Sequence, residues 1–92
     1  MKYQSYDLGH QPADAVAVVT LSGTAANVKL LDSHNFASYR SGREHRYYGG
    51  HYRRSPATIQ IPHDGHWHVA VDLGGFAGTV RSTVKVLTPS TA

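Results

Sequence analysis

Cysteine is missing from all 92 residues, and its absence excludes a disulfide framework and any thiolate metal site. Long apolar runs are missing as well. No stretch approaches the roughly 20 residues that a membrane-spanning helix needs. The first ten residues, MKYQSYDLGH, carry a positive charge without the apolar run of a secretory signal. A cytoplasmic location with no membrane partner is therefore the expectation. Helix-forming stretches are scarce, and none is long enough to cross between parallel strands, which disfavours a parallel α/β sheet. Catalytic signatures are absent too. There is no nucleophile elbow, and LGGFAG (residues 73–78) lies between strand-like segments rather than before a helix, so it is not a dinucleotide or phosphate loop. With no residue set meeting the criteria for an active site, a role that is not enzymatic and uses no cofactor is expected.

What is present is a period of two, the mark of half-buried strands. In PATIQIP, Ala57, Ile59 and Ile61 point one way, Thr58 and Gln60 the other, and prolines punctuate both ends. HWHVAVDL places Trp67, Val69, Val71 and Leu73 on one face, with His66, His68, Ala70 and Asp72 opposite. TVRSTVKVL turns Val80, Ser82, Val84 and Val86 inward and Arg81, Thr83 and Lys85 outward. DAVAVVTLS is apolar on both faces, Val16 and Val18 against Ala17, Val19 and Leu21, which predicts a central strand covered on both sides. NVKLL and KYQSYD are shorter candidates. SGTAAN and LGGFAG read as hairpin loops. Only DSHNFASYRSG departs from this period. Asp32 or Ser33 caps a short helix, Phe36 and Tyr39 share a face, and Gly42 ends it.

A chain of 92 residues makes a single domain, residues 1–92, because neither half alone holds enough apolar surface for a core. The fold class is all-β: a compact antiparallel β-sandwich or barrel of about seven or eight short strands with one short helix.

In this order, NVKLLDSHNFASYRSG, HRYYGG, RSPATIQIPHDGHWHVAVDLGGFAG and VRSTVKVL resemble the bacterial family known as domain of unknown function 1883, from Tyr3 to Leu87. IPHDGHW and VDLGG are the most specific segments. The resemblance implies a small β-sandwich, found alone or joined to Toll/interleukin-receptor-type signalling domains. It carries no established activity, substrate or catalytic residue.

Positive charge is unevenly placed. The formal net charge is +3, yet residues 40–54 hold five arginines against Glu44 alone, and the rest of the chain is slightly acidic. Within REHRYYGGHYRR, a two-residue turn at Gly49–Gly50 would pair Tyr48 with His51, Tyr47 with Tyr52, Arg46 with Arg53 and His45 with Arg54. Directly opposed like charges destabilise a strand pair, and an anion would relieve them. Arg43, Arg46, Tyr48, His51, Arg53 and Arg54 are accordingly the candidate site for an anionic small molecule or an acidic partner surface. The plainer reading is an edge hairpin whose arginines point into water and deter aggregation. A longer loop would dissolve these pairings. Basic and aromatic residues interleaved also suit single-stranded nucleic acid, but the footprint is small and no known nucleic-acid module is evident, so that partner is not expected.

HDGHWH offers a second cluster. His66 and His68 alternate on one strand face, and His63 or Asp64 would supply a third metal ligand. The plainer account is a turn at Asp64–Gly65 with solvent-facing histidines, and no metal is expected. Two further readings stand beside the binding module. One is a structural or assembly domain pairing through edge strands with a partner or a second copy. The other is a metal-dependent enzyme built on His63, His66 and His68.

Overall fold

The computed structural model describes residues 2–89; Met1 and residues 90–92 lie outside it. Among the described residues the strands are β1 (Tyr3–Gln11), β2 (Val16–Gly23), β3 (Ala26–Asp32), β4 (Tyr48–Tyr52), β5 (Ala57–Gln60), β6 (Gly65–Asp72) and β7 (Val80–Leu87), with one helix, α1 (Ser33–Arg40), after β3. They form two sheets, ordered β1-β6-β3-β4 and β5-β2-β7, antiparallel throughout. The sheets do not close into a barrel. The expected all-β sandwich with a single short helix is what the chain forms.

The alternation of apolar residues explains the stacking of the sheets. Trp67, Val69 and Val71 of β6, Val28 and Leu30 of β3, and Ala17 and Val19 of β2 are all buried in one core cluster. Ala57, Ile59 and Ile61 close it from the β5 side. At the open edge, β1 is tied to β7 by side chains rather than by a ladder. Tyr6 Oη donates to Ser82 O at 2.7 Å and Gln4 Nε2 to Val80 O at 2.8 Å. These bonds satisfy two carbonyls of β7 that point away from β2.

Two expectations about connectivity fail. SGTAAN and LGGFAG are not hairpin loops, because β2 and β3 lie in different sheets, as do β6 and β7. Glycine reports that the chain reverses, not which sheet it enters next. Both segments cross at one end of the sandwich and are tied together there. The Thr24 N–H and hydroxyl each bond Thr79 O, at 2.9 and 3.0 Å. A Cβ on Gly23 would stand 2.3 Å from the same oxygen.

β2 is central in its sheet, as expected, with Ala17 and Val19 facing the core and Val18 buried on the other face between cross-strand partners Thr58 and Lys85. The helix packs on β3 and β6 of the other sheet. There Leu31, Ala70 and Tyr39 form a second buried cluster, with Phe36 against it.

Candidate functional site

Residues 43–54 do not form a hairpin. Tyr48 to Tyr52 run as one strand along β3, with Tyr48 opposite Leu30, Gly49 opposite Lys29 and Gly50 opposite Val28. Gly49 has φ +127°, and a Cβ there would lie 2.1 Å from Val28 O. The glycine pair thus serves a close approach of two backbones, the other physical reason for glycine within a strand. Arg46 precedes this strand and Arg53 follows it, so roughly 20 Å of extended chain separates them. The facing arginines expected from a two-residue turn do not exist.

Arg46 and Tyr48 instead enter a cleft of about 600 Å³. Three segments build it, beginning with the start of α1. Asp32 caps the helix, its Oδ1 accepting from Asn35 N at 2.8 Å and Asn35 Nδ2 at 3.0 Å. Asn35 Oδ1 in turn accepts the Arg46 backbone N–H at 2.8 Å, which fastens the loop before β4 to the helix N-terminus. That loop supplies His45, Arg46 and Tyr47. The turn between β5 and β6 supplies His63, and Trp67 of β6 lies beneath it. Trp67 is 1% exposed. Its indole N–H donates to His63 O at 3.1 Å, and its ring meets those of His63 and Tyr48 at centroid distances of 5.0 and 6.1 Å. Tyr47 and Tyr48 are 45% and 49% exposed, which leaves their rings open at the cleft. Among the described residues no carboxylate lies within ion-pairing distance of Arg46, and Asp32 is committed to its cap.

A buried polar network holds the helix over the sheet and so keeps the cleft in shape. Asp72 is 2% exposed. It accepts from Tyr39 Oη at 2.7 Å, Asn27 Nδ2 at 2.9 Å and Gly74 N at 2.9 Å, with Lys29 Nζ at 4.0 Å. Burial alone would raise its pKa. The bonds from Tyr39, Asn27 and Gly74 together with the Lys29 charge outweigh that and hold the carboxyl below the usual range. Tyr39 is shifted upward, by burial first and then by its bond to Asp72. The Lys29 ammonium lies 5.0 Å from the Tyr39 ring, 4.8 Å from the Tyr47 ring and 3.3 Å from His45 Nε2. One half-buried cation therefore positions two residues of the loop before β4.

The histidines of HDGHWH part company. His63 belongs to the cleft, whereas His66 and His68 lie on the outer face of the four-stranded sheet. His66 Nε2 is 2.6 Å from Asp7 Oδ1 of β1. Asp7 is held below the usual carboxylate range, first by the Gly9 N–H it accepts and then by His66. His68 stacks on Phe36 at 4.3 Å, and burial under the helix pushes its pKa down.

The family model described as Domain of unknown function (DUF1883) matches residues 1–90. The chain belongs to this family. No curated protein and no solved structure matches it.

Of the six residues singled out for an anion, this DUF1883 chain brings Arg46 and Tyr48 into the cleft and leaves the others outside its lining. His51 is exposed, with Nδ1 3.1 Å from Asn27 Oδ1. Arg53 and Arg54 lie in the bend after β4, and Arg43 is exposed beyond the helix end. His45 and Tyr47, also within REHRYYGGHYRR, line the cleft, and a hairpin register gives them no part in an anion site. Trp67 is both core and cleft floor. Asp32 and Asn35 had only a capping signal, with nothing local to tie them to Arg46. His63, His66 and His68 do not form one cluster, since the bend at His63 and Asp64 before β6 turns His63 toward Trp67.

Proposed function

We propose that this DUF1883 chain is a binding module without catalytic activity, whose ligand is a small anion bearing a planar ring, held in the cleft around Arg46. The observation that carries this reading is the convergence on one concavity of an arginine lacking a carboxylate partner and two half-exposed tyrosine rings. Guanidinium supplies a fork of charge-assisted donors suited to phosphate or carboxylate, and flat rings suit a planar ligand body. A volume of about 600 Å³ is that of a small-molecule site rather than of a flat protein interface. Of the two cleft imidazoles, His45 is engaged at both ring nitrogens and His63 at one. His45 Nδ1 lies 2.9 Å from Arg43 O and its Nε2 beside Lys29. His63 Nδ1 lies 3.0 Å from Asp64 O.

The test is a thermal-shift screen with nucleoside phosphates and aromatic carboxylates. A ligand at about ten times its Kd stabilises the fold by about 1.4 kcal/mol, which in a chain this small raises the melting temperature by about 5–10 °C. Arg46→Ala should abolish the shift, and Arg53→Ala should preserve it. No shift with any anion of the panel, or equal loss in both variants, would refute the proposal.

A further inference from the structure

A bulge in β1 builds a second site away from the cleft. β1 pairs with β6 regularly from Tyr3 to Asp7 and again from Gly9 to Gln11, with Leu8 as the extra residue between. Gly9 takes φ +69°, in the left-handed region, and its N–H is accepted by Asp7 Oδ1 at 2.8 Å. In an unbulged strand Asp7 and Gly9 would share a face and His10 would lie on the other. The inserted residue brings His10 round to the face of Asp7. Their partners on β6 are His68, opposite Asp7, and His66, opposite His10. Three imidazoles and a carboxylate therefore share one face of two adjacent strands.

We propose that Asp7, His66 and His68 bind a divalent transition-metal ion of the zinc type. One ligand atom from each already lies within 4.8 Å of the others. Zinc bonds of 2.0–2.2 Å in tetrahedral geometry require ligand atoms about 3.3 Å apart. The adjustment is small and falls on exposed groups, since the side chains of His66 and Asp7 are 47% and 62% exposed. The donor set is two imidazoles and one carboxylate, a combination that suits zinc and disfavours calcium or magnesium, which take oxygen ligands.

His68 carries the outer support that metal-binding histidines have. Its Nε2 lies 3.2 Å from Ser33 Oγ, and Phe36 stacks on its ring. The His66 and His68 rings stack at 5.0 Å, and the position opposite His66 belongs to His10, which stands beside the set. A surface ion pair would need only Asp7 and one imidazole. Here the second imidazole is fixed on the same face by Ser33 and Phe36. Binding would displace the proton shared between Asp7 and His66, so it consumes the existing contact rather than competing with the core.

The experiment is zinc titration of untagged protein by calorimetry, with cobalt(II) substitution to read coordination by its visible bands. One equivalent should bind, with cobalt bands of four-coordinate intensity. His66→Gln and His68→Gln should each weaken zinc binding about tenfold or more, a loss at least as large as that from removing an outer-shell partner. His63→Gln, in the cleft, should bind as the parent does. Far-UV circular dichroism of the metal-free variants separates lost ligands from lost fold. Binding of less than one equivalent by the parent overturns the proposal. So does undiminished affinity in folded His66→Gln and His68→Gln proteins, or loss in His63→Gln.

Discussion

At the scale of single residues, Asp72 shows how one buried carboxylate organises its surroundings. Four groups from three chain segments converge on it, and its partners Tyr39 and Lys29 reach the helix and the loop that walls the cleft. Its folded pKa lies below the usual carboxylate range. The unfolded chain therefore takes up a proton first as pH falls. The stability Asp72 contributes is complete above the unfolded value and is lost as pH drops through the folded one. Urea denaturation at pH 7 and pH 3 should show this loss, and Asp72→Asn, which keeps hydrogen bonding without the charge, should show a smaller one. An identical acid dependence in both proteins would remove Asp72 as its cause. Gly49 makes a different point at the same scale. Only a residue without a Cβ lets β4 lie against Val28 O, so a signal for a turn and a signal for close approach are the same letter.

At the scale of elements, the edges and connections carry the meaning. The β1–β7 edge is closed by Tyr6 and Gln4 reaching across to carbonyls that would otherwise face solvent or another strand. Tyr6→Phe should cost about 1–3 kcal/mol, because it removes the hydroxyl and leaves Ser82 O unsatisfied. It should also raise self-association measured by light scattering, since the exposed edge becomes available for pairing. A variant as stable and as monodisperse as the parent would show that the edge needs no seal. The helix is an element of the same kind, short and capped by Asp32, and its value lies in what it fastens. Through Asn35 it holds the Arg46 backbone, and through Tyr39 it covers β3 and β6.

For the whole molecule, the sandwich disperses a charge that is concentrated in the linear chain. Arg43 and Arg46 precede β4 and Arg53 and Arg54 follow it, so the whole of that strand separates the two pairs. Affinity for single strands needs a continuous basic track with stacking rings along it. Labelled oligonucleotides should therefore show no binding even at low salt, where phosphate contacts are strongest. Retention that falls steeply as salt is raised would contradict this and assign the arginines to nucleic acid. No helix among the described residues is long and apolar enough to cross a membrane.

Much of this architecture was legible in the residues themselves. Alternation in PATIQIP, HWHVAVDL and TVRSTVKVL marked the faces turned to the core between the sheets, because the direction of a side chain along a strand depends only on its neighbours in sequence. The helix cap at Asp32 was readable for the same reason. What tertiary structure alone decided was which sheet each strand joined, and every error in reading the site follows from that. Glycine at 49 and 50 met β3 rather than folding back. Asp7 met His66 from 59 positions away, and the bulge that placed it has no signature in a lone glycine. Arg46 found Tyr48, His63 and Trp67 only because two crossings between sheets brought their segments together. Local sterics determine the face a side chain takes. Its partners are determined by which distant surfaces must be buried together, and that is settled only by the folded whole.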